Sequence, residues 1–499
     1  MKIIISIIAE TMEEKKMSKN FDSLFENFSR DINSMLSVDM LKIPFHEVEK
    51  KAQDYVRKYG CELMKLNCAG REQKFFEKIV VKEDNLLPRI HTPTRTELKQ
   101  HVSVFGKFYL SRTAYTNKGH FSVFPLDEEL QLPTRSFSYF LQYLAINETI
   151  RGSYDEASDC LSRTIGINFS KRTLEQISND WAHDFDDFYC QRAYDSHIET
   201  GSLLVLNVDC KGIPIVKEQK DSSPVVRLTK GIKRNRKKMA TVATVHTQQP
   251  RFRAPEEVIN SLFKRSEVKD RFPKTKLENK RVWASLKKSK KEVFNEAYEE
   301  FIRRDPKNNK QHVILSDGEV GLQNLARKTL PNAILILDFI HAIERIWIVA
   351  HALFGEGTEE AVNWAYSQAL SILRGNVKKV VATIRHLIAE KKLSKRKKCT
   401  MEIAAKYLDK NSKYMNYNEY LKKGYPIASG VVEGACKHLV KDRMELSGMR
   451  WTIEGAEAIL KLRAVKISGD MNEYLQFHIE KEQVRKRGNI EWEELKEAA

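Results

Sequence analysis

Residues 203–209, LLVLNVD, decide how this chain is read. An apolar run of strand length that closes on a carboxylate reads as a buried β-strand delivering an acid to the edge of a sheet. Moving outward, HVILSD (312–317) and AILILD (333–338) repeat the pattern and close on Asp317 and Asp338. A further acid, Glu433, stands at the start of the helix-like stretch VVEGACKHLVKDRM (431–444). Carboxylates at strand ends together with one on a helix supply hard oxygen ligands, the donors that hold divalent metals against a phosphodiester.

The elements between these acids set an order. After LLVLNVD, Cys210-Lys211-Gly212 reads as a turn, Ile213–Val216 as a short return strand and ATVATVH (240–246) as a third strand, which together make a meander. The long basic stretch 255–304 favours helix and precedes the fourth strand, ending at Asp317, and the fifth, ending at Asp338. The expected class is therefore α/β: an RNase H-like core with a mixed sheet, three meander strands plus two parallel ones. In that order the first and fourth strands are neighbours, so Asp209 and Asp317 converge despite 317 − 209 = 108 positions of separation. About ninety residues with helical periodicity separate Asp338 from Glu433 and read as an all-helical insertion ending in the turn-rich LKKGYPIASG.

Composition narrows the partner. The 499 residues carry 85 Lys and Arg against 67 Asp and Glu, a net charge of +18, as expected of a protein that meets a polyanion. Anionic membrane is the weaker alternative, because the basic blocks are not amphipathic and no apolar run approaches the roughly 20 residues needed to span a bilayer. MKIIISIIAE is short, is followed by EEKK and lacks a small-residue cleavage site, so no secretory signal is expected. The expected location is cytoplasmic, at the nucleoid. The seven cysteines show no CxxC or zinc-type spacing and read as reduced thiols.

The remaining modules follow from local pattern. Residues from about 20 to 95 read as helical, and 1–98 is taken as an N-terminal helical region. The alternating HVSVFGKFYLSRTAYTNKGHFSVFPLD, within 99–135, reads as a hairpin-rich scaffold. Within 136–200, Ser153 and Glu156 form a capping box, Gly166-Ile167-Asn168 a turn, and Ser170 a cap for a second helix that turns Lys171 and Arg172 outward and Leu174 and Ile177 inward. That is helix-turn-helix spacing, able to enter a major groove; a plain helical hairpin is the alternative. The core occupies 201–340 and 426–468 around an insertion at 341–425, and 469–499 reads as a charged, helix-prone, peripheral tail.

Basic residues near the acids are the candidate DNA contacts: Lys233, Arg234, Arg236, Lys237 and Lys238 in KGIKRNRKK, and Lys437 and Lys441 on the helix of Glu433. Trp364 is a candidate stacking platform for an unpaired base, against the more common role of an amphipathic-helix Trp in a core.

At FPLDEELQLP, NVDCKGI, LSDGEVGLQN, LDFIHAIERIW and SGVVEGACKHLVKDRMELSGMRWT, the chain resembles the Mutator-like DDE transposases, and within them the ISKra/ISLre group of bacterial insertion-sequence enzymes. The similarity runs from about residue 100 to 465. It implies that Asp209, Asp317 and Glu433 are a catalytic triad binding two Mg2+ or Mn2+ ions, with His341, in the D-x-x-H of Asp338 and His341, facing the scissile phosphate. It also implies terminal inverted repeats and target DNA as substrates and a homo-oligomeric synaptic complex. Relatives with a zinc ribbon near FYLSRTAYTNKGHFSVFPLD differ from this chain, which has no cysteine there.

Each acid has an ordinary alternative. Asp317-Gly318 suits a turn or helix cap, Asp338 a helix N-cap, Glu433 a helix dipole or a pair with Lys437, and His341 a satisfied helix histidine. Two other functions fit the same residues: a catalytically inactive, domesticated DNA-binding protein and a metal-dependent nuclease on the same fold.

Overall fold

The computed structural model describes residues 22–72, 76–83, 87–192, 200–216, 237–265, 276–428, 430–446, 448–487 and 490–494. Its strands are β1 (Ile79–Glu83), β2 (Arg89–Ser103), β3 (Gly106–Thr116), β4 (Leu203–Pro214), β5 (Lys237–Gln248), β6 (Glu278–Ser285), β7 (Gln311–Ser316), β8 (Ile334–Leu337) and β9 (Ile490–Glu494). The chain divides into two compact units, Met1–Asp184 with Asn472–Ala499, and Phe185–Met471.

The first unit holds a four-stranded sheet in the order β3-β2-β1-β9. Its hairpin turns at Gly106, whose φ of +132° lies where a side chain is strained. Among the described residues, helix at its start comprises 22–35, the 3-10 turn Met40–Lys42 and Phe45–Glu72, and the expected helical reading of 79–95 gives way to β1 and β2. The reason is local: Ile79 and Val81 alternate inward from the β-branched run IVV and are buried. Helices Tyr154–Ile165 and Lys171–Ala182 form as expected, with the Ser153–Glu156 capping box, Gly166 at φ 72° and Ser170 as the second cap. The C-terminal segment is not peripheral. Helix Met471–Arg487 buries Tyr474 and His478 one turn apart, His478 Nδ1 lies 2.7 Å from Asp184 Oδ2, and β9 adds to the sheet against β1. Of its four buried positions among the described residues, Met471, Tyr474, His478 and Gln483, two are polar, so no apolar stripe shows.

The second unit is a mixed five-stranded sheet in the order β6-β5-β4-β7-β8. β4–β5 and β5–β6 are antiparallel, whereas β4–β7 and β7–β8 are parallel. The expected neighbours, first and fourth strand, are therefore adjacent, but the meander is built differently from its expected form. Cys210-Lys211-Gly212 is not a turn and Ile213–Val216 is not a return strand: β4 continues to Pro214, paired to β5 at every step as far as Pro214 with Lys237. The third meander strand is β6, inside the stretch expected to be helical, where Val282, Trp283 and Ala284 supply a short apolar run between charges.

Helices cover the sheet. Lys290–Arg304 and Ile453–Ser468 pack on β5 and β6, and Glu457 of the latter accepts from Leu286 N at 2.7 Å and from Ser285 Oγ at 2.6 Å. Five helices, Phe339–Phe354, Glu359–Leu373, Val377–Glu390, Lys395–Asn411 and Tyr417–Lys422, form the expected insertion. Leu203 and Val205 of β4, Val313 and Leu315 of β7 and Ile336 of β8 share one apolar core with these helices. The insertion is thus part of the sheet's own packing. Among the described residues no helix is long and apolar enough to cross a membrane.

A buried ionic network braces the edge strand. Glu300, fully buried, accepts from Arg281 at 2.6 Å, Arg303 at 2.9 Å and Arg304 Nε at 2.8 Å, and the Arg281 guanidinium lies over Tyr189 and Trp283 at 3.9 and 4.5 Å. Removing one member strands the others in low dielectric, so Glu300→Ala is expected to cost about 3–5 kcal/mol. Chemical denaturation of the two proteins checks this as a lowered unfolding midpoint.

Candidate functional site

The parallel register of β4 and β7 builds the site. Val208 pairs with Ser316, and the same offset, 316 − 208 = 108, carries the next step to Asp209 and Asp317. Neighbours in a parallel register leave the sheet on the same face, so the two carboxylates stand side by side where β7 stops. β8 extends the row, because Ser316 pairs with Leu337 and the next residues are Asp317 and Asp338.

Asp317 is half-buried. Burial pushes its carboxyl above the usual range, the Asp209 charge adds to the rise, and the Glu319 N–H, which donates to Oδ1 at 2.9 Å, and the nearby His341 oppose it. A carboxyl raised by burial and by a neighbouring carboxylate is one that a bound cation would relieve. Asp209 Oδ1 accepts from Cys210 N at 2.6 Å, and Oδ2 accepts from the Cys436 thiol at 3.4 Å. Burial pushes the Cys436 thiol strongly up, which keeps it a donor. Asn207 lies two residues before Asp209 and so on the same face. Its Nδ2 donates to Thr244 Oγ1 at 3.0 Å, while its Oδ1 is buried and has no partner among the described residues.

The insertion closes over this row. The Tyr407 hydroxyl donates to Asp317 O at 2.6 Å, and Arg345 lies over its ring at 4.6 Å. Burial pushes Tyr407 up to about 12. Gly318 sits at φ +91°, and a Cβ there would come 2.5 Å from the Tyr407 hydroxyl, so backbone conformation and space both require glycine. Asp338 is buried and accepts from Ile340 N at 2.7 Å as the N-cap of its helix, the ordinary alternative for this residue. His341, one turn on, is partly exposed with Nδ1 3.3 Å from Glu344 Oε2, and its influence reaches Asp317.

Glu433 is exposed on the short helix Gly430–Ala435, which runs directly into a π-helical turn, Cys436–Lys441. Such turns cluster at functional sites. Cys436, three residues after Glu433, is buried and touches Asp209, whereas Glu433 itself is exposed. Among the described residues, however, no three His, Cys, Asp or Glu side chains stand close enough to hold a metal ion together. The two aspartates are a pair, and Glu433 is not drawn into it. Carboxylates and an unpartnered amide oxygen are nonetheless the hard donors that suit Mg2+ or Mn2+.

A cation stands beside the pair. Lys290, the first residue of helix Lys290–Arg304, lies 2.6 Å from Glu319 Oε1 and feels the charge of Asp317. Lys238, Lys437 and Lys441 are exposed, and Lys237 is paired with Glu445. Lys233, Arg234 and Arg236 lie outside the described residues. In the first unit Lys171 pairs with Asp155 at 2.7 Å and Arg172 is exposed. Trp364 is half-buried against the insertion's core, its ring 6.5 Å from that of Phe354. Sequence reasoning did not single out Asn207, Lys290, Glu319, Tyr407 or Cys436. Asn207, a polar residue inside an apolar strand, was the visible signal among them.

The sequence matches no family model and no curated protein. Among solved structures, the Drosophila P element transposase strand transfer complex is similar over 69% of this chain and 81% of that chain, with 11% identity and a TM-score of 0.26. So loose a likeness leaves the functional reading to the chain's own residues.

Proposed function

We propose that this protein is a DNA transposase of the DDE type, built on an RNase H-like core and acting on the ends of a mobile element. The observation that carries the reading is the register that sets Asp209 beside Asp317, with the carboxyl of Asp317 raised by burial and further by Asp209. Asp209 and Asp317 hold the divalent cations, Mg2+ or Mn2+, and Glu433 completes the set from the helix that Cys436 ties to Asp209. When bound, two such ions lower the pKa of an attacking water or 3′-hydroxyl and stabilise the leaving oxygen. His341, whose charge acts on Asp317, donates to the phosphate. Lys290 gives up Glu319 for a phosphate oxygen, and the exposed Lys238, Lys437 and Lys441 neutralise the flanking backbone. Terminal repeats and target DNA are the substrates, and pairing two ends calls for a homo-oligomer.

One observation favours a second reading. The exposed Glu433 and the lack of a three-ligand cluster among the described residues suit a protein that binds DNA without cutting it.

Purified protein, Mg2+ and a labelled terminal-repeat duplex separate these readings. Strand-transfer products that vanish in Asp209→Ala support the transposase, hydrolysis without joining indicates a nuclease, and binding alone the inactive protein. Replacing the basic residues of 230–238 by glutamine should weaken DNA binding and flatten its salt dependence by about one unit of log–log slope for every phosphate left without its cation. Unchanged affinity and slope in a mobility assay would remove that block from the interface. Around the pair, Lys290→Gln should reduce and Glu319→Gln increase affinity for the same duplex in EDTA, whereas Lys422→Gln and Glu419→Gln, from an exposed pair in the insertion, should change it less.

A further inference from the structure

The insertion reaches the sheet through two tyrosine hydroxyls. Tyr407 donates to the carbonyl of Asp317 at 2.6 Å, and Tyr417 donates to the carbonyl of Leu337 at 2.8 Å. Both acceptors lie where a parallel strand ends, and both donors lie in the helical insertion, so the same device is used twice. Only the first touches a residue whose side chain stands in the acidic pair.

Three contacts fix Tyr407 in place. Its ring is covered by Arg345, whose guanidinium carbon lies 4.6 Å from the ring centre. Its hydroxyl fills the space that a side chain at position 318 would need. Its own helix is held to helix Val320–Thr329 by a buried hydrogen bond of 2.9 Å from Gln323 to Asn411. Asp317 is correspondingly fixed at both ends, by Tyr407 at its carbonyl and by the Glu319 N–H at its carboxylate.

We infer that Tyr407 is a positioning residue, through which the packing of the helical insertion sets the orientation of the Asp317 carboxylate and hence the cation affinity of the Asp209–Asp317 pair. This rests on the proposed metal-binding role of that pair. A hydrogen bond to the backbone of a ligand acts as outer-shell partners do: it leaves the donor set unchanged and fixes its aim, and loss of such a partner typically lowers metal affinity by roughly 10–100-fold. Tyr417 supplies the control, because its loss removes an equivalent buried hydrogen bond one strand away from the pair.

The test uses the full chain and Mn2+ as the probe, with bound ion read by electron paramagnetic resonance and by the rise in Tm on titration. Tyr407→Phe should bind Mn2+ roughly ten-fold or more weakly, with affinity for a duplex in EDTA unchanged. Tyr417→Phe should lose comparable thermal stability and keep wild-type Mn2+ affinity. Asp209→Ala and Asp317→Ala identify the site being titrated. If Mn2+ binds through the two aspartates and Tyr407→Phe binds it as well as wild type, or no more weakly than Tyr417→Phe does, the positioning role is overturned and the metal site stands. If wild-type protein binds no Mn2+, or its binding survives both alanine variants, the metal site and the positioning role fall together.

Discussion

One register governs the second unit. β4 and β7 lie parallel with Val208 opposite Ser316, and everything at the acidic row follows from that offset. A slip by one residue would turn Asp209 to the opposite face of β4 and bury a carboxylate where Val208 now packs. The register is held from both sides: Val205 and Val313 enter the core shared with the insertion, and β5 continues to pair with β4 beyond the end of β7. Apolar burial thereby fixes the separation of two charges.

Around the row, the helical insertion has a structural duty besides any role in meeting a ligand. Its core is continuous with one face of the sheet, and Tyr407 and Tyr417 reach two strand ends. Gly318 shows the same closeness, since there is no room for a methyl group beneath the Tyr407 hydroxyl. At Asp209 the donor comes from the turn that follows the helix of Glu433, where the Cys436 thiol donates to the carboxylate. A buried protonated thiol holds a carboxylate without adding a charge.

Legibility in the sequence followed the range of the interactions. The strand-end acids, the capped helices at Ser153 and Ser170 and the helical insertion could be read because each is signalled within a dozen residues. The extent of β4 could not: Cys210-Lys211-Gly212 carries turn chemistry, and only pairing with β5 keeps it extended. β6 was hidden because Arg281, buried over Tyr189 and Trp283, looks in sequence like one more charge in a basic stretch. The C-terminal helix and β9 were missed for a similar reason, since their few buried residues answer to partners hundreds of positions away, as His478 does to Asp184. Tyr407 and Cys436, 90 and 227 positions from their partners, leave no local trace.

The continuation of β4 past β7 has a consequence of scale. From Asp209 to Pro214 the β4–β5 ribbon runs on for five residues, ending at Lys237 and Lys238. At about 3.3 Å per residue that is a ledge of roughly 17 Å with carboxylates at its root and ammonium groups at its tip. The fold therefore sets a fixed interval, counted in peptide units, between the strand-end acids and the end of the ribbon.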